Sequence, residues 1–263
     1  MSKVAVVTGA SSGIGEAVAR RLLKEGYRVY GLSRRGTAPE GALGMQLDVT
    51  DESRVGEVFR DIVRREGRID LLINNAGFGI SGPVEFTDLK SAQAQMNVNF
   101  FGQFLCARAV LPYMREQRSG RIVFVSSVAA SMAIPYQAFY SASKAAVSSV
   151  ALALRNEVKD FGITVTAVLP GDVATGFTDA REKDQGTAIA SVYKRSDSAV
   201  AAMEKDERNG MTPDYAADVI FRAASVRRPK PMIVVGPKYR VFYVLFKFLP
   251  ARLVYWVIGK MYS

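Results

Sequence analysis

Tyr140 and Lys144 stand four residues apart in the run Tyr140-Ser141-Ala142-Ser143-Lys144. The stretch 137–161 carries a helical pattern, and this spacing puts both side chains on one helical face. An ammonium beside a phenol favours the phenolate, so the tyrosine pKa is expected to fall from about 10 toward working pH. Such a phenol can give a proton to a ketone oxygen as hydride arrives, or take one from an alcohol as hydride leaves. Ser127 lies thirteen residues upstream, in Val125-Ser126-Ser127, and can hydrogen-bond the same oxygen as it gains charge. The sequence holds no histidine, which removes imidazole triads, imidazole metal sites and histidine acid–base chemistry together. Proton transfer then falls to Tyr, Lys, Asp or Glu.

A second chemical signal opens the chain. Thr8-Gly9-Ala10-Ser11-Ser12-Gly13-Ile14-Gly15 joins a β-branched run at 3–8 to a helical stretch at about 13–25. Glycines there let the backbone approach a pyrophosphate, and the free N–H groups of a helix N-terminus complement its charge. The plain alternative is a tight strand-to-helix turn that needs glycine geometry and binds nothing. At the end of the next strand stand Gly31-Leu32-Ser33-Arg34-Arg35, with no acid. An acid there would bond a ribose 2′-OH, whereas arginine's planar fork suits a 2′-phosphate. Arg34 is the expected phosphate ligand, with Arg35 and Ser33 beside it.

Strand and helix patterns alternate along the whole chain. Strands are expected at 3–8, Arg28–Ser33, Met45–Asp48, Ile69–Asn74, Arg121–Ser126, Ile163–Leu169 and Met232–Val235. Helices are expected at about 13–25, 51–65, 91–117 and 137–161. Several of these strands are continuous apolar runs, which implies a parallel sheet covered by helices on both faces. There is no internal repeat. Cys106 is the one cysteine, which excludes an internal disulfide and fits a reducing cytosol; its expected place is a buried apolar one.

These motifs together resemble the short-chain dehydrogenase/reductase family, in order and in spacing, over nearly the whole chain. The G-x-x-x-G-x-G spacing, Asn74-Asn75-Ala76-Gly77, Tyr140-x-x-x-Lys144 and Pro170-Gly171-Asp172-Val173-Ala174-Thr175 carry the resemblance. It implies an α/β fold, a Rossmann-type doubly wound parallel sheet of about seven strands. It implies a catalytic set of Asn99, Ser127, Tyr140 and Lys144, in which the lysine also contacts the nicotinamide ribose and the asparagine anchors a water in a proton relay. It further implies cofactor contacts at Gly9, Ser11, Ser12, Gly13, Ile14, Gly15, Asp48, Val49, Asn75, Ala76, Gly77, Pro170, Gly171, Val173 and Thr175. Tyr140 and Lys144 belong to that set too. With Ser33, Arg34 and Arg35, the expected cofactor is NADP(H), and no metal is expected. The expected activity interconverts a ketone or aldehyde and an alcohol. A non-catalytic NADPH-binding sensor or scaffold of the same fold is the alternative. The family's long helices commonly pair between subunits, which implies a homodimer or homotetramer.

Residues 1–237 are expected to form one catalytic domain, with a substrate lid over about 174–210 or, alternatively, a packed surface helix pair there. Of 35 basic and 25 acidic residues, nine basic and no acidic ones lie beyond Asp218, so the net charge of +10 belongs almost wholly to the tail. Nucleic-acid binding shows as a basic face across a fold, so no nucleic-acid partner is expected. Residues 238–263 mix basic with aromatic side chains, and 241–249 are apolar almost all round a helix. This segment either meets a membrane periphery, folds over the pocket or enters a subunit interface. Any of these suits a lipophilic substrate, steroid-, retinoid- or lipid-like, and the arrangement loosely resembles the hydroxysteroid and retinol dehydrogenase branch. No signal peptide or membrane span is visible. The expected location is cytoplasmic, with membrane association at most peripheral.

Overall fold

In a computed structural model describing residues 2–183 and 187–262, the first strand already sets the architecture. Along β1 (Val4–Thr8), Val4 and Val6 enter one core while Ala5 and Val7 enter another. A strand buried on both faces needs helices on both sides. The glycine loop leads to α1 (Gly13–Lys24), then β2 (Arg28–Ser33), β3 (Leu43–Gln46), α2 (Glu52–Glu66) and β4 (Leu71–Asn74). After β5 (Ile80–Ser81) come α3 (Leu89–Met96), α4 (Gly102–Glu116), β6 (Gly120–Val125), α5 (Ala138–Glu157) and β7 (Ile163–Pro170). The chain ends through β8 (Glu182–Lys183), α6 (Thr187–Val192), α7 (Ser196–Arg208), α8 (Pro213–Ser225), β9 (Met232–Val235), α9 (Pro237–Phe248) and α10 (Ala251–Met261).

Seven strands form one parallel sheet in the order β3-β2-β1-β4-β6-β7-β9, and β5 pairs with β8 separately. α1 and α8 cover one face, where Ala17, Leu22, Ala216 and Ile220 are buried. Residues of α2, α4 and α5 fill the other, and Val254 and Ile258 of α10 join that core. The chain runs outward from β1 in both directions, so the order reverses between β1 and β4. In such sheets ligands bind beyond the carboxyl ends of the strands at that switch point. The doubly wound sheet inferred from the alternating pattern is the fold observed.

Some expected boundaries shift, the helix read over 137–161 ending at Glu157 and the strand read from Ile69 starting at Leu71, and two elements differ for a plain physical reason. The helix read over 91–117 is divided: a π-helical turn at Asn97–Phe101 separates α3 from α4. The wider turn accommodates the buried side chain of Asn99, which bonds outside the helix. The third strand, expected at Met45–Asp48, lies two residues earlier, because Asp48 already belongs to a turn. Its carboxylate accepts from the backbone and hydroxyl of Thr50, at 2.9 and 2.8 Å. Asp51 then caps α2 by accepting from the N–H of Arg54, 2.9 Å. The β5–β8 pair has no counterpart in the sequence reading. Each strand is two residues long, too short to show a period. Cys106 is buried, and burial pushes its thiol up to about 12.

Candidate active site

The switch point is built by backbone and glycine. Gly9 and Gly13 hold φ of 67° and 57°, a region open to glycine. A Cβ at Gly15 would stand 2.2 Å from the carbonyl oxygen of Gly9, so α1 can start this close to the loop only with glycine there. The Thr8 hydroxyl accepts from the N–H groups of Asn75 and Ala76 at 2.9 and 3.0 Å, and the Asn75 amide donates to the Thr8 carbonyl at 3.0 Å. These bonds lock the loop after β4 to the loop after β1. The Ser12 side chain makes no cap bond to α1, and the first N–H groups of that helix, including those of Gly13, Ile14 and Gly15, lie outside its internal ladder. This cradle fits the pyrophosphate of a dinucleotide.

At the end of β2 the Ser33 hydroxyl is buried and donates to the carbonyl of Thr37, 2.9 Å. Arg34 and Arg35 are exposed, and neither forms an ion pair among the described residues. Asp48 is exposed, whereas Val49 is buried and packs where a Cβ at Gly102 would stand only 2.5 Å away. On the opposite wall, the Thr175 side chain lies against Gly13, at 3.2 Å from a Cβ placed there. Pro170 ends β7. Gly171 is covered by the ring of Tyr239, and Val173 bridges to Met211.

The four expected catalytic residues converge beside this cradle. Tyr140 and Lys144 share a face of α5, with the Lys144 Nζ 5.8 Å from the tyrosine ring centroid. Lys144 is buried and donates to the Val125 carbonyl, 3.0 Å. Ser127 follows β6; its hydroxyl accepts from the Ala129 N–H at 3.1 Å and stands near enough to Tyr140 to pull the phenol's pKa down. Asn99 accepts from the Phe78 N–H at 2.9 Å and donates to the Phe78 carbonyl at 2.9 Å and to Ser143 Oγ at 3.1 Å. Gly77 sits between them: a Cβ there would lie 3.0 Å from Asn99 Oδ1 and 3.5 Å from Lys144 Nζ.

One electrostatic expectation is overturned. The pKa of Tyr140 is not lowered toward working pH; burial pushes it up to about 12, against a partial pull down by the Ser127 hydrogen bond. Lys144 exerts no comparable pull, being desolvated itself, and burial lowers its ammonium to about 8. Desolvation therefore outweighs the lysine's charge at the phenol. At neutral pH the phenol keeps its proton and is poised as a donor.

Several residues around Tyr140 escaped the sequence reading. The Phe177 ring tilts against the tyrosine ring at 5.7 Å between centroids, and the Arg181 guanidinium lies 5.7 Å from the Phe177 ring. The Arg181 side chain is 1% exposed and pairs with Glu207, which also accepts from the Thr178 hydroxyl at 2.7 Å. Arg181 Nε and Nη1 are buried without a hydrogen-bond partner among the described residues. Asp172 accepts from the Tyr239 hydroxyl, and burial raises its carboxyl pKa. Spacing gives no signal for these pairs, since their partners lie in other elements.

Residues 174–210, read as a lid, hold β8, α6 and α7, with 184–186 outside the described residues. Both ends are fastened: the N–H of Met211 donates to the Asp172 carbonyl and that of Ala174 to the Met211 carbonyl, each at 2.9 Å. The Tyr193 hydroxyl donates to Glu85 at 2.7 Å, tying this segment to the turn after β5.

Residues 3–186 match the short chain dehydrogenase family. This chain belongs to that family. It is thus an oxidoreductase acting on CH–OH/C=O groups with a nicotinamide cofactor. It is 39% identical over 264 residues to 3-ketodihydrosphingosine reductase of Bacteroides thetaiotaomicron, an alignment spanning 99% of this chain and 98% of that protein. Among solved structures it is similar to ElxO with NADP bound, with a TM-score of 0.76 and 27% identity, covering 92% of this chain and 100% of ElxO. It is also similar to a short-chain dehydrogenase/reductase from Burkholderia phymatum in complex with NAD. That match has a TM-score of 0.81 and 26% identity, over 93% of this chain and 92% of the other. Both cofactors occur among its structural neighbours, so the choice falls to the residues at the end of β2.

Proposed function

We propose that this short-chain dehydrogenase is an NADPH-dependent reductase of long-chain, lipid-like ketones of the 3-ketodihydrosphingosine class. The observation that carries the substrate class is the match to the Bacteroides reductase along essentially the whole of both chains. It includes residues 174–210 and the C-terminal segment as well as the cofactor-binding half.

The bound cofactor supplies the hydride. The Gly9–Gly15 loop and the start of α1 hold its pyrophosphate, with Ser11, Ser12, Asn75, Ala76 and Thr175 around it. Arg34, with Arg35, meets the 2′-phosphate. Support comes from two exposed guanidiniums without an ion pair among the described residues, at a strand end that carries no acid. Asp48 and Val49 flank the adenine. Lys144, which donates to the Val125 carbonyl, would hold the nicotinamide ribose.

Tyr140 gives the proton. Its hydroxyl lies beside that of Ser127, so a carbonyl oxygen seated between them receives one hydrogen bond from each. As the carbonyl carbon is reduced, the phenolic proton passes to that oxygen. Ser127 stabilises the charge during transfer, and Lys144 stabilises the phenolate left behind. A phenol raised to about 12 by burial keeps its proton at neutral pH, which is the form that reduction requires. Asn99 spends its side-chain amide on Phe78 and Ser143, which holds the loop after Gly77 against α5. The segment from Ala174 to Gly210 acts as a lid, with Phe177 against the tyrosine. Pairing through the long helices α4 and α5 into a homodimer or homotetramer is consistent with exposed Phe101 and Phe104.

The test is NADPH oxidation across a panel of lipid, steroid, retinoid and small aromatic ketones and aldehydes. The proposal expects the highest kcat/KM for the long-chain 3-keto amine. A preference for the small aromatic carbonyls would remove the substrate class. Absence of turnover with every carbonyl, with NADPH still bound, would favour a non-catalytic sensor.

A further inference from the structure

The hairpin of α9 and α10, joined through Leu249 and Pro250, has two unlike faces. Its inner face belongs to the protein: Val254 and Ile258 are buried in the core, and Phe242 and Phe246 pack against it. On the outer side Val241, Val244, Leu245 and Phe248 follow one another at helical spacing and are all exposed, Phe248 by 84%. Across the turn Tyr255 and Trp256 are exposed as well, Trp256 by 60%. Monomeric proteins seldom leave so many large apolar groups together in water, and such patches mark interaction surfaces.

The charges around the patch choose its partner. Arg240, Lys247 and Arg252 are exposed and form no ion pair among the described residues, and the sequence has no acid beyond Asp218. The Lys247 ammonium lies 4.5 Å from the Tyr243 ring centroid, keeping its charge next to the aromatic band. A second copy docked here about a two-fold axis would set this basic surface against itself, with no acid to answer it. An anionic lipid surface answers it directly, and an apolar face fringed by Lys and Arg with exposed aromatics is the composition of an interfacial helix. Neither helix can cross a bilayer: no described helix is long and apolar enough.

We propose that the outer face of this C-terminal hairpin docks on an anionic membrane surface, with Phe248, Leu245 and Trp256 entering the headgroup boundary. The docking stands independently of which ketone is reduced. It also has a route to the catalytic end of the sheet. Tyr239, at the root of α9, donates to Asp172 and covers Gly171, the residues from which the lid departs. The membrane-bound face and the lid therefore share an anchor.

Trp256 is the only tryptophan, so its fluorescence reports on this face in the full-length protein. Vesicles of phosphatidylcholine, with and without phosphatidylglycerol, are titrated into it, and binding is checked by co-sedimentation. Anionic vesicles should shift Trp256 emission to the blue and bind the protein at least tenfold more tightly than neutral ones, and added salt should weaken this. Replacing Lys247 and Arg252 by Gln should weaken binding roughly thirtyfold, at the usual contribution of a basic residue near an anionic surface. Leu245→Ser with Phe248→Ser should abolish it while leaving reduction of a water-soluble ketone intact. Unchanged Trp256 emission and no co-sedimentation of the wild type with anionic vesicles would overturn the proposal. So would a blue shift that follows protein concentration without lipid, alongside a dimer that the double serine variant breaks. The wild-type arms decide the matter even where a variant folds poorly.

Discussion

The two walls of the active-site cleft are built from opposite materials. On the cofactor side, close approach is secured by absent side chains: glycine at 9, 13 and 15, and backbone N–H groups gathered on Thr8. On the side of the proposed lid it is secured by polar pairs, with the buried Arg181 on the half-buried Glu207 beside Phe177, and the half-buried Asp172 under Tyr239. The first wall admits almost no alternative residue, because a Cβ at 15 would strike the Gly9 carbonyl and positions 9 and 13 hold positive φ. The second holds a guanidinium that costs several kcal/mol to bury and is tolerable only with its Glu207 partner. That difference suits their tasks. A cofactor is the same molecule at every turnover, whereas a substrate must be admitted, sealed from water and released. Tyr140 stands where the two walls meet.

Four changes would break or sharpen this contrast. The largest effect belongs to the meeting point. Tyr140→Phe should lower kcat/KM for ketone reduction by about a thousandfold, the scale of a general acid, with NADPH affinity little changed. Fluorescence titration of the cofactor separates the two effects. Next comes the lid wall. Glu207→Gln strands the buried Arg181 guanidinium and should cost about 3 kcal/mol. Thermal unfolding should then fall by roughly 6–10 °C, read by calorimetry. A drop below about 1 °C would show that this wall does not depend on the pair. On the cofactor wall, Arg34→Ala should weaken NADPH binding by about ten- to a hundredfold and leave NADH unaffected, the worth of charge-assisted bonds to a phosphate. Equal losses with both cofactors would place Arg34 elsewhere in the site.

The smallest effect is the pH profile. Burial lowers Lys144 to about 8, so its ammonium is present below that pH and lost above it. With Tyr140 protonated throughout, kcat/KM for reduction should be flat to about pH 8 and then fall up to tenfold per unit. A profile rising through pH 8 would mean that deprotonation, not the ammonium, limits the step. Stability carries the opposite sign. The unfolded lysine holds its proton to about 10.5, so this group's contribution to folding improves between pH 8 and 10.5 as the native form sheds its charge.

The cofactor wall was largely legible in the sequence because its constraints are local. The glycines at 9, 13 and 15, the strand-to-helix context and the arginines after β2 fall within short runs whose chemistry follows from residue type. The sheet was legible for a similar reason: apolar runs of β-branched residues imply burial on both faces, and the observed order follows. The lid wall was not legible. Arg181 and Glu207 give no signal in the sequence, and only tertiary packing buries the guanidinium against its partner. The π turn that lodges Asn99 was hidden as well, since a single widened turn leaves the helical period almost undisturbed. The tyrosine's proton affinity was misread because spacing shows the lysine's charge but not the desolvation that outweighs it. At the C-terminus the sequence left membrane, pocket and subunit interface open. The hairpin's inner face packs on the core, and only its outer face remains for a partner.

The most direct test of the account sets wild type and Tyr140→Phe side by side on 3-ketodihydrosphingosine in detergent micelles, following NADPH oxidation and the alcohol formed. The account predicts one alcohol per NADPH consumed by the wild type, a much slower rate with NADH, and near loss of turnover in the variant. Turnover by Tyr140→Phe at a rate close to wild type would contradict it.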